Sequence, residues 1–181
     1  TRTKDEGFPA EGVRFDAKDV TPGVVYDRDG LRVTAFAVDH GAFAVPALGY
    51  RVDFRGRSAV VSGDMRFDER IVEHAKGADV MVVEVISPEV EARRAQVQDP
   101  KALARILARH ISPDQAGTLF TKVAPRLAVF THIVPSPATA EDLVPVARKT
   151  YAGPLAVGYD LMTIVIGASV DVFPRRTLSD Q

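Results

Sequence analysis

Residues 58–85, SAVVSGDMRFDERIVEHAKGADVMVVEV, decide the fold because they predict a strand, a helix and a second strand in succession. The apolar run at 59–61 leads through Ser62-Gly63 to a single acid, Asp64. The segment FDERIVEHAKGA predicts a short helix that Gly77 closes. The following DVMVVEV is a continuous apolar run of strand length, which is typical of a strand covered on both faces.

Two hairpins lead into this unit, and the second shares its last strand with it. In GVVYDRDGLRVTAFAVDH, residues 23–40, Asp29-Gly30 is a strong turn signal between two alternating runs. In LGYRVDFRGRSAVVSG, residues 48–63, Arg55-Gly56-Arg57 turns one strand into the next. Hairpins followed by alternating strands and helices indicate an α/β layered domain.

Helices and strands continue to alternate after residue 85. PKALARILARH, residues 100–110, has the apolar spacing of an amphipathic helix and brings His110 to its end. SPDQAGTLFTKVA predicts a helix with Ser112 as N-cap and Gln115 as its capping-box partner. The later predicted elements are a buried strand RLAVFTH ending at Thr131-His132, a helix near 139–151, and two closing strands in LMTIVIG and SVDVF.

The composition excludes several classes of function. The 181 residues are 46% hydrophobic and carry a net charge of −1, so no global field draws the protein to nucleic acid or an anionic membrane. Any attraction for a phosphate or sulfate ester must be local. Because there is no cysteine, only histidine and carboxylate can hold a metal ion.

The sequence leaves the compartment open between cytoplasm and periplasm. Residues 1–12 are polar and predict an irregular segment that looks unlike a signal peptide. No apolar run approaches the length of about 18 residues that spans a bilayer. We therefore expect no membrane partner.

Three polar residues, His40, Asp64 and His132, are each predicted to follow an apolar strand. An Asp after a Gly is by itself most often a turn residue, and a single histidine is more often structural than functional. Their shared position is more informative, because ligands bind at strand ends in sheets of this kind. Histidine with carboxylate suits zinc, manganese or iron. The chain has four histidines: His40, His110, His132 and His74. We expect His74 to be a solvated or partly packed helix residue.

Several segments taken together resemble the C-terminal half of the metallo-β-lactamase superfamily, most closely its ribonuclease Z and arylsulfatase-like branch. They are SGDM after a strand, ADVMVVEV, HISPDQAG, LAVFTHIVPSP and the closing YAGPLAVGYDLMTIVIG. The resemblance implies that residues 1–181 form one domain, half of an αββα sandwich with a mixed sheet and flanking helices.

The resemblance also implies roles for individual residues. Asp64 would bridge two metal ions, and His132 would be a terminal ligand of one of them. His110 would contact the scissile group and protonate the leaving oxygen, which suits a group that titrates near neutral pH. His40 would line the substrate pocket. The implied cofactor is a pair of zinc ions, with manganese or iron as alternatives.

Three residues depart from the pattern of this branch. Met65 replaces the Thr that usually follows the Asp, Ile111 stands where a Thr is common, and Tyr159 stands where an acid is expected. None of these changes removes an implied metal ligand.

The superfamily's N-terminal motif, His-x-His-x-Asp-His, has no counterpart here, since no two histidines lie closer than 22 positions. We therefore expect an N-terminal half as a partner, on a separate, cleaved or unrecorded stretch of chain. Alone, residues 1–181 would expose an apolar sheet face, so we expect them to be poorly soluble or to associate as a homo-oligomer.

The implied activity is that of a metal-dependent hydrolase, with the two ions activating a water and polarising the ester. A small phosphate, sulfate or carboxylic ester is the first expectation, because the basic residues are scattered among acids. The alternatives are a tRNA 3′-processing endonuclease of the ribonuclease Z type, which would need a basic RNA-docking surface, and a non-catalytic relative used for assembly or binding.

Overall fold

A seven-stranded mixed sheet forms the centre of the molecule. The computed structural model describes residues 2–7, 9, 17–42, 44–94, 100–135 and 137–174. The strands follow one another across the sheet in chain order: β1 (Gly23–Arg28), β2 (Leu31–Val38), β3 (Ala47–Phe54), β4 (Arg57–Val61), β5 (Val80–Ile86), β6 (Leu127–Val134) and β7 (Leu155–Val157). Pairing is antiparallel from β1 to β4 and parallel from β4 to β7. The predicted α/β class with a mixed sheet is confirmed.

Helices and a small second sheet flank these strands. The helices are α1 (Arg2–Asp5), α2 (Ile71–Ala75), α3 (Pro88–Arg94), α4 (Pro100–Leu107), α5 (Pro113–Val123) and α6 (Ala140–Ala147). Strands β8 (Thr163–Ile166) and β9 (Val170–Phe173) pair antiparallel as a separate hairpin. None of the described helices is long and apolar enough to cross a membrane.

Alternate residues of the central strands pack into two apolar clusters. Met81, Val83 and Phe130 belong to the larger cluster, with side chains from α2, α5 and α6. Their neighbours along the strands, such as Val80 and Val129, belong to the smaller cluster, with side chains from the β8–β9 hairpin. Since side chains alternate between faces of a strand, helices cover one face of the sheet and the hairpin covers part of the other.

Capping explains where α5 and α6 begin. The backbone N–H of Ser112 donates to Gln115 Oε1 at 3.1 Å, and the Ser112 side chain closes the predicted capping box. Thr139 and Asp142 form an equivalent box at α6. Each box satisfies two N–H groups that the first turn of a helix otherwise leaves unpaired.

The structure corrects several local predictions. Residues 2–5 form the short α1, although 1–12 were predicted irregular; residues 1, 8 and 10–12 lie outside the described part. Helix α3 was not predicted. Its first turn is closed by a hydrogen bond of 2.9 Å from the Glu91 N–H to the Ser87 carbonyl oxygen. The three-residue β7 was also missed, because pairing with β6 specifies it rather than its own pattern. Helix α4 ends at Leu107, so His110 lies three residues beyond it.

Candidate active site

The candidate site lies at the edge of the sheet where β2, β4, β5 and β6 end. These four strands run in the same direction, so their carboxyl ends meet there. His40 follows β2 by two residues and Asp64 follows β4 by three. His110 precedes α5, and His132 lies near the end of β6.

Asp64 and His132 face each other across this edge. The Asp64 Oδ2 and His132 Nε2 atoms are 3.2 Å apart, and each side chain is about half exposed. The chain reaches Asp64 through Gly63, whose φ is +64°. A Cβ on Gly63 would stand 2.4 Å from the Leu48 carbonyl oxygen. Only glycine therefore fits this close passage without a shift in the backbone.

A bulge in β6 presents His132. The strand was predicted to end at Thr131-His132, but it continues to Val134. Thr131 pairs with Glu84 and Ile133 with Val85, so His132 is an extra residue between two ladder pairs, with a φ of +39°. A bulge of this kind re-aims a side chain while the strand goes on.

Glu84 is a buried acid that the sequence reasoning missed. It lies in β5 within the apolar run VMVVEVI and is 1% exposed. Its Oε1 accepts from the backbone N–H groups of Met65, at 3.1 Å, and Ile111, at 3.4 Å. The sequence did contain a signal for Glu84, since it is an acid within an apolar run that predicts a buried strand. A buried charge needs partners, which marks such a residue as a candidate for the site.

Glu84 also holds His110. The distance from Glu84 Oε1 to His110 Nδ1 is 3.1 Å. This hydrogen bond, together with the charge of Glu84 and a smaller effect of Asp64, raises the pKa of His110 above its ordinary value of 6.5, against the opposing effects of burial and of Arg109. With Nδ1 donating to the carboxylate, Nε2 is the ring nitrogen that remains for another partner.

The three predicted histidines lie in a row. The ring of His110 is 5.2 Å from that of His40 and 6.0 Å from that of His132, measured between centroids. His40 Nδ1 donates to the Arg109 carbonyl oxygen at 2.9 Å, which ties the loop after β2 to the segment after α4. His74 lies elsewhere and stacks on Phe36, with ring centroids 4.4 Å apart.

The donor atoms of Asp64 and His132 fit two ligands of one ion. Zinc bonds of about 2.0–2.2 Å in a tetrahedral arrangement place neighbouring donor atoms roughly 3.3–3.6 Å apart. The Oδ2–Nε2 separation of 3.2 Å is that of an ordinary ion pair and lies just below this range, so a small movement would let both side chains reach one ion. No three His, Asp or Glu side chains of the described residues form a complete metal-binding group. Asp64 and His132 are thus two candidate ligands and not a complete site.

An open groove of about 770 Å³ runs from His132 along the sheet. Its walls include Tyr159 and Asp160, which follow β7, and Met162 and Ile164 beside the closing hairpin. Tyr159 is 52% exposed. Of the candidate site residues, His132 lines this groove, between the sheet and the closing hairpin.

Comparison with known proteins identifies the class. Residues 5–133 match the family described as the β-lactamase superfamily domain. The metallo-β-lactamase fold protein YhfI from Bacillus subtilis superposes with a TM-score of 0.61 over 95% of this chain and 62% of its own, at 14% identity. Zinc-bound PqqB from Methylobacterium extorquens has a TM-score of 0.56 over 76% of this chain and 51% of its own, at 17% identity. The chain belongs to the metallo-β-lactamase superfamily.

Within the superfamily, sequence similarity indicates the ribonuclease Z-like branch. The chain is 32% identical over 155 residues to a ribonuclease Z of Mycobacterium avium, covering 84% of this chain and 54% of that protein. It is 28% identical over 164 residues to a ribonuclease Z of Mycobacterium tuberculosis H37Rv, covering 90% and 56%. The chain spans about half the length of these curated relatives.

Proposed function

We propose that the protein to which this chain belongs is a metal-dependent phosphodiester hydrolase of the ribonuclease Z type, which cleaves precursor tRNA near its 3′ end. The observation that carries the proposal is the buried Glu84 holding His110 beside the paired Asp64 and His132. Similarity to proteins named ribonuclease Z favours RNA over the small ester that the scattered basic residues had suggested.

His110 acts as the proton donor in this proposal. Its Nδ1 is occupied by Glu84, so Nε2 delivers the proton to the leaving oxygen. The raised pKa keeps a larger fraction of His110 protonated near neutral pH, which is the state that a general acid needs. Burial of Glu84 fixes the ring, because the carboxylate cannot rotate away into solvent.

Asp64 and His132 would hold metal. Divalent ions, zinc by preference and manganese or iron as alternatives, would supply a water of lowered pKa and neutralise charge on the phosphate. Asp64 contributes an anionic oxygen and His132 an Nε2, both accessible from solvent. His40, whose ring lies 5.2 Å from that of His110, lines the substrate side of the pocket.

The remaining ligands would come from an upstream half that carries the His-x-His-x-Asp-His motif. Large apolar side chains remain exposed near the site and on the closing hairpin, such as Val61 (39%), Leu161 (68%) and Val165 (47%). An upstream half would cover side chains of this kind. Without it, residues 1–181 should associate with further copies of themselves.

The test uses the full-length protein, or this chain combined with the upstream half, and a precursor tRNA with a 3′ trailer. Cleavage should require zinc or manganese and should be lost in Asp64→Ala. The matched control is Arg28→Ala, which changes an exposed residue in β1 and should cleave like the wild type. Metal-loaded wild-type protein that leaves the trailer intact but hydrolyses a small aryl ester would contradict the ribonuclease proposal.

A further inference from the structure

Most arginines whose side chains the structure describes interact with an acid or with another group within the chain, as Arg66 does with Asp39. Among these described side chains, only three lack a hydrogen bond or ion pair: Arg28, Arg55 and Arg109. An exposed arginine without a partner is often only a solvated residue, so its position decides what it can do.

Two of the three lie far from the candidate site. Arg28 ends β1, and Arg55 occupies the turn between β3 and β4, where it stacks on Phe54 at 4.9 Å. Both turns are at the edge where β2 and β4 begin, opposite the edge where those strands end. Arg109 directly precedes His110, at the site itself.

The segment that carries Arg109 is held on two sides. Its carbonyl oxygen accepts from His40 Nδ1 at 2.9 Å. Its Cγ lies 3.8 Å from the point where a Cβ on Gly41 would stand, so the aliphatic stem packs over the loop after β2. The side chain is exposed, and its charge is near enough to lower the pKa of His110. The backbone and the aliphatic stem of Arg109 are thus held in place, while its charged side chain is exposed next to the proposed proton donor, His110.

We infer that Arg109 binds a phosphate of the RNA chain next to the scissile bond and so positions the substrate against His110. The inference rests on the proposed function and names the group that its substrate presents. A guanidinium offers a fork of donors that matches two phosphate oxygens. Since the net charge of the chain is −1, attraction of a polyanion depends on local cations at the site, and Arg109 is one of them.

The decisive experiment measures binding rather than cleavage. A fluorescein-labelled single-stranded RNA is titrated with the full-length protein in EDTA, where metal-dependent cleavage is suppressed, and anisotropy is followed between about 50 and 200 mM KCl. Arg109→Ala should weaken binding about tenfold at the low salt end. It should also make the slope of log K against log salt shallower by about 0.7, the value for one phosphate contact on a single strand. Arg109→Lys should keep most of the slope, because it retains the charge.

Arg28→Ala is the matched control, since it removes the same charge at the opposite edge. It should leave both the affinity and the slope near the wild-type values. If Arg109→Ala and Arg28→Ala gave the same slope, Arg109 would not bind a substrate phosphate and the inference would be overturned.

A second measurement separates this inference from the proposed function. With metal-loaded protein, Arg109→Ala should raise KM for the anionic diester bis(p-nitrophenyl) phosphate and leave KM for the neutral p-nitrophenyl acetate unchanged. If the wild type did not cleave precursor tRNA but this difference remained, the ribonuclease proposal would fail while Arg109 would stand as an anion-binding residue. Equal changes in KM for both esters would overturn the role of Arg109.

Discussion

The Oε1 atom of Glu84 lies 3.1 Å from Nδ1 of His110 and also accepts two backbone N–H groups, while its buried Oε2 has no partner among the described residues. A single oxygen of one buried acid thus fixes three segments of the chain. These are the loop after β4, the segment after α4 and the strand β5 itself. The cost of burying the charge is offset only while this arrangement is intact.

Replacing Glu84 by Gln should lower the pKa of His110. Gln keeps the shape of the side chain but removes the charge and the strong acceptor that raise this pKa. The measurement is an NMR titration of the His110 ring in the metal-free protein. Glu89→Gln in α3, which changes an exposed acid, should leave the pKa of His110 where it is. An unchanged pKa in Glu84→Gln would contradict the assigned pairing.

The same pair should make stability depend on pH. Because the pKa of His110 is raised above 6.5 in the folded state, protonation of His110 stabilises the fold fully below pH 6.5. This contribution is lost as the pH rises through the raised pKa. The free energy of unfolding from urea titrations should therefore fall less over that range in Glu84→Gln than in the wild type. Equal pH dependence in both proteins would remove His110 as the cause.

Substitutions within the site should distinguish residues that bind metal from the residue that donates the proton. In the full-length protein, Asp64→Ala and His132→Ala should reduce the bound metal measured by elemental analysis, because each removes a donor atom. His110→Ala should retain the metal and slow turnover by roughly 10²–10⁴-fold, the usual contribution of one acid–base group. Loss of metal in His110→Ala with retention in Asp64→Ala would reverse the assigned roles.

Gly63→Ala should destabilise the fold more than Gly56→Ala. Both glycines have a positive φ, +64° and +72°, so both substitutions carry the cost of about 1–2 kcal/mol for a left-handed side chain. A Cβ at Gly56 meets nothing within 4 Å, whereas one at Gly63 would stand 2.4 Å from the Leu48 oxygen. Urea unfolding of the two variants measures the difference. Equal losses would show that the loop after β4 adjusts without cost.

Residues 1–181 by themselves should bind metal weakly and associate. One carboxylate and one imidazole are too few for a closed site, which needs about four ligands. Light scattering of the purified chain should give a mass above that of a monomer, and elemental analysis should find little zinc. Addition of the upstream half should restore both a defined mass and metal binding. A monomer that carries two zinc ions would exclude the need for a second half.

Much of the architecture follows from local pattern. The turn at Asp29-Gly30, the apolar run of β5 and the capping box at Ser112 each predict their element because the signal lies within a few neighbouring residues. The pairing of Asp64 with His132 also followed, since both were predicted near strand ends that share one edge of the sheet. The resemblance to a family added the roles of these residues, which no local pattern supplies.

Tertiary structure alone decided the rest. The part played by Glu84 depends on donors from Met65, His110 and Ile111, which lie 19 to 27 positions away in the chain. The bulge at His132 arises from pairing with β5, and the short β7 exists only because β6 pairs with it. Arg109 looks like any other basic residue of an amphipathic segment until the fold packs its stem over Gly41, in the loop after β2. The sequence by itself determined every strand of the sheet except β7, and which residues follow them, because hydrophobic period and turn chemistry are local. The buried position of Glu84 and the bulge at His132 depend on distant partners that only the folded chain brings together.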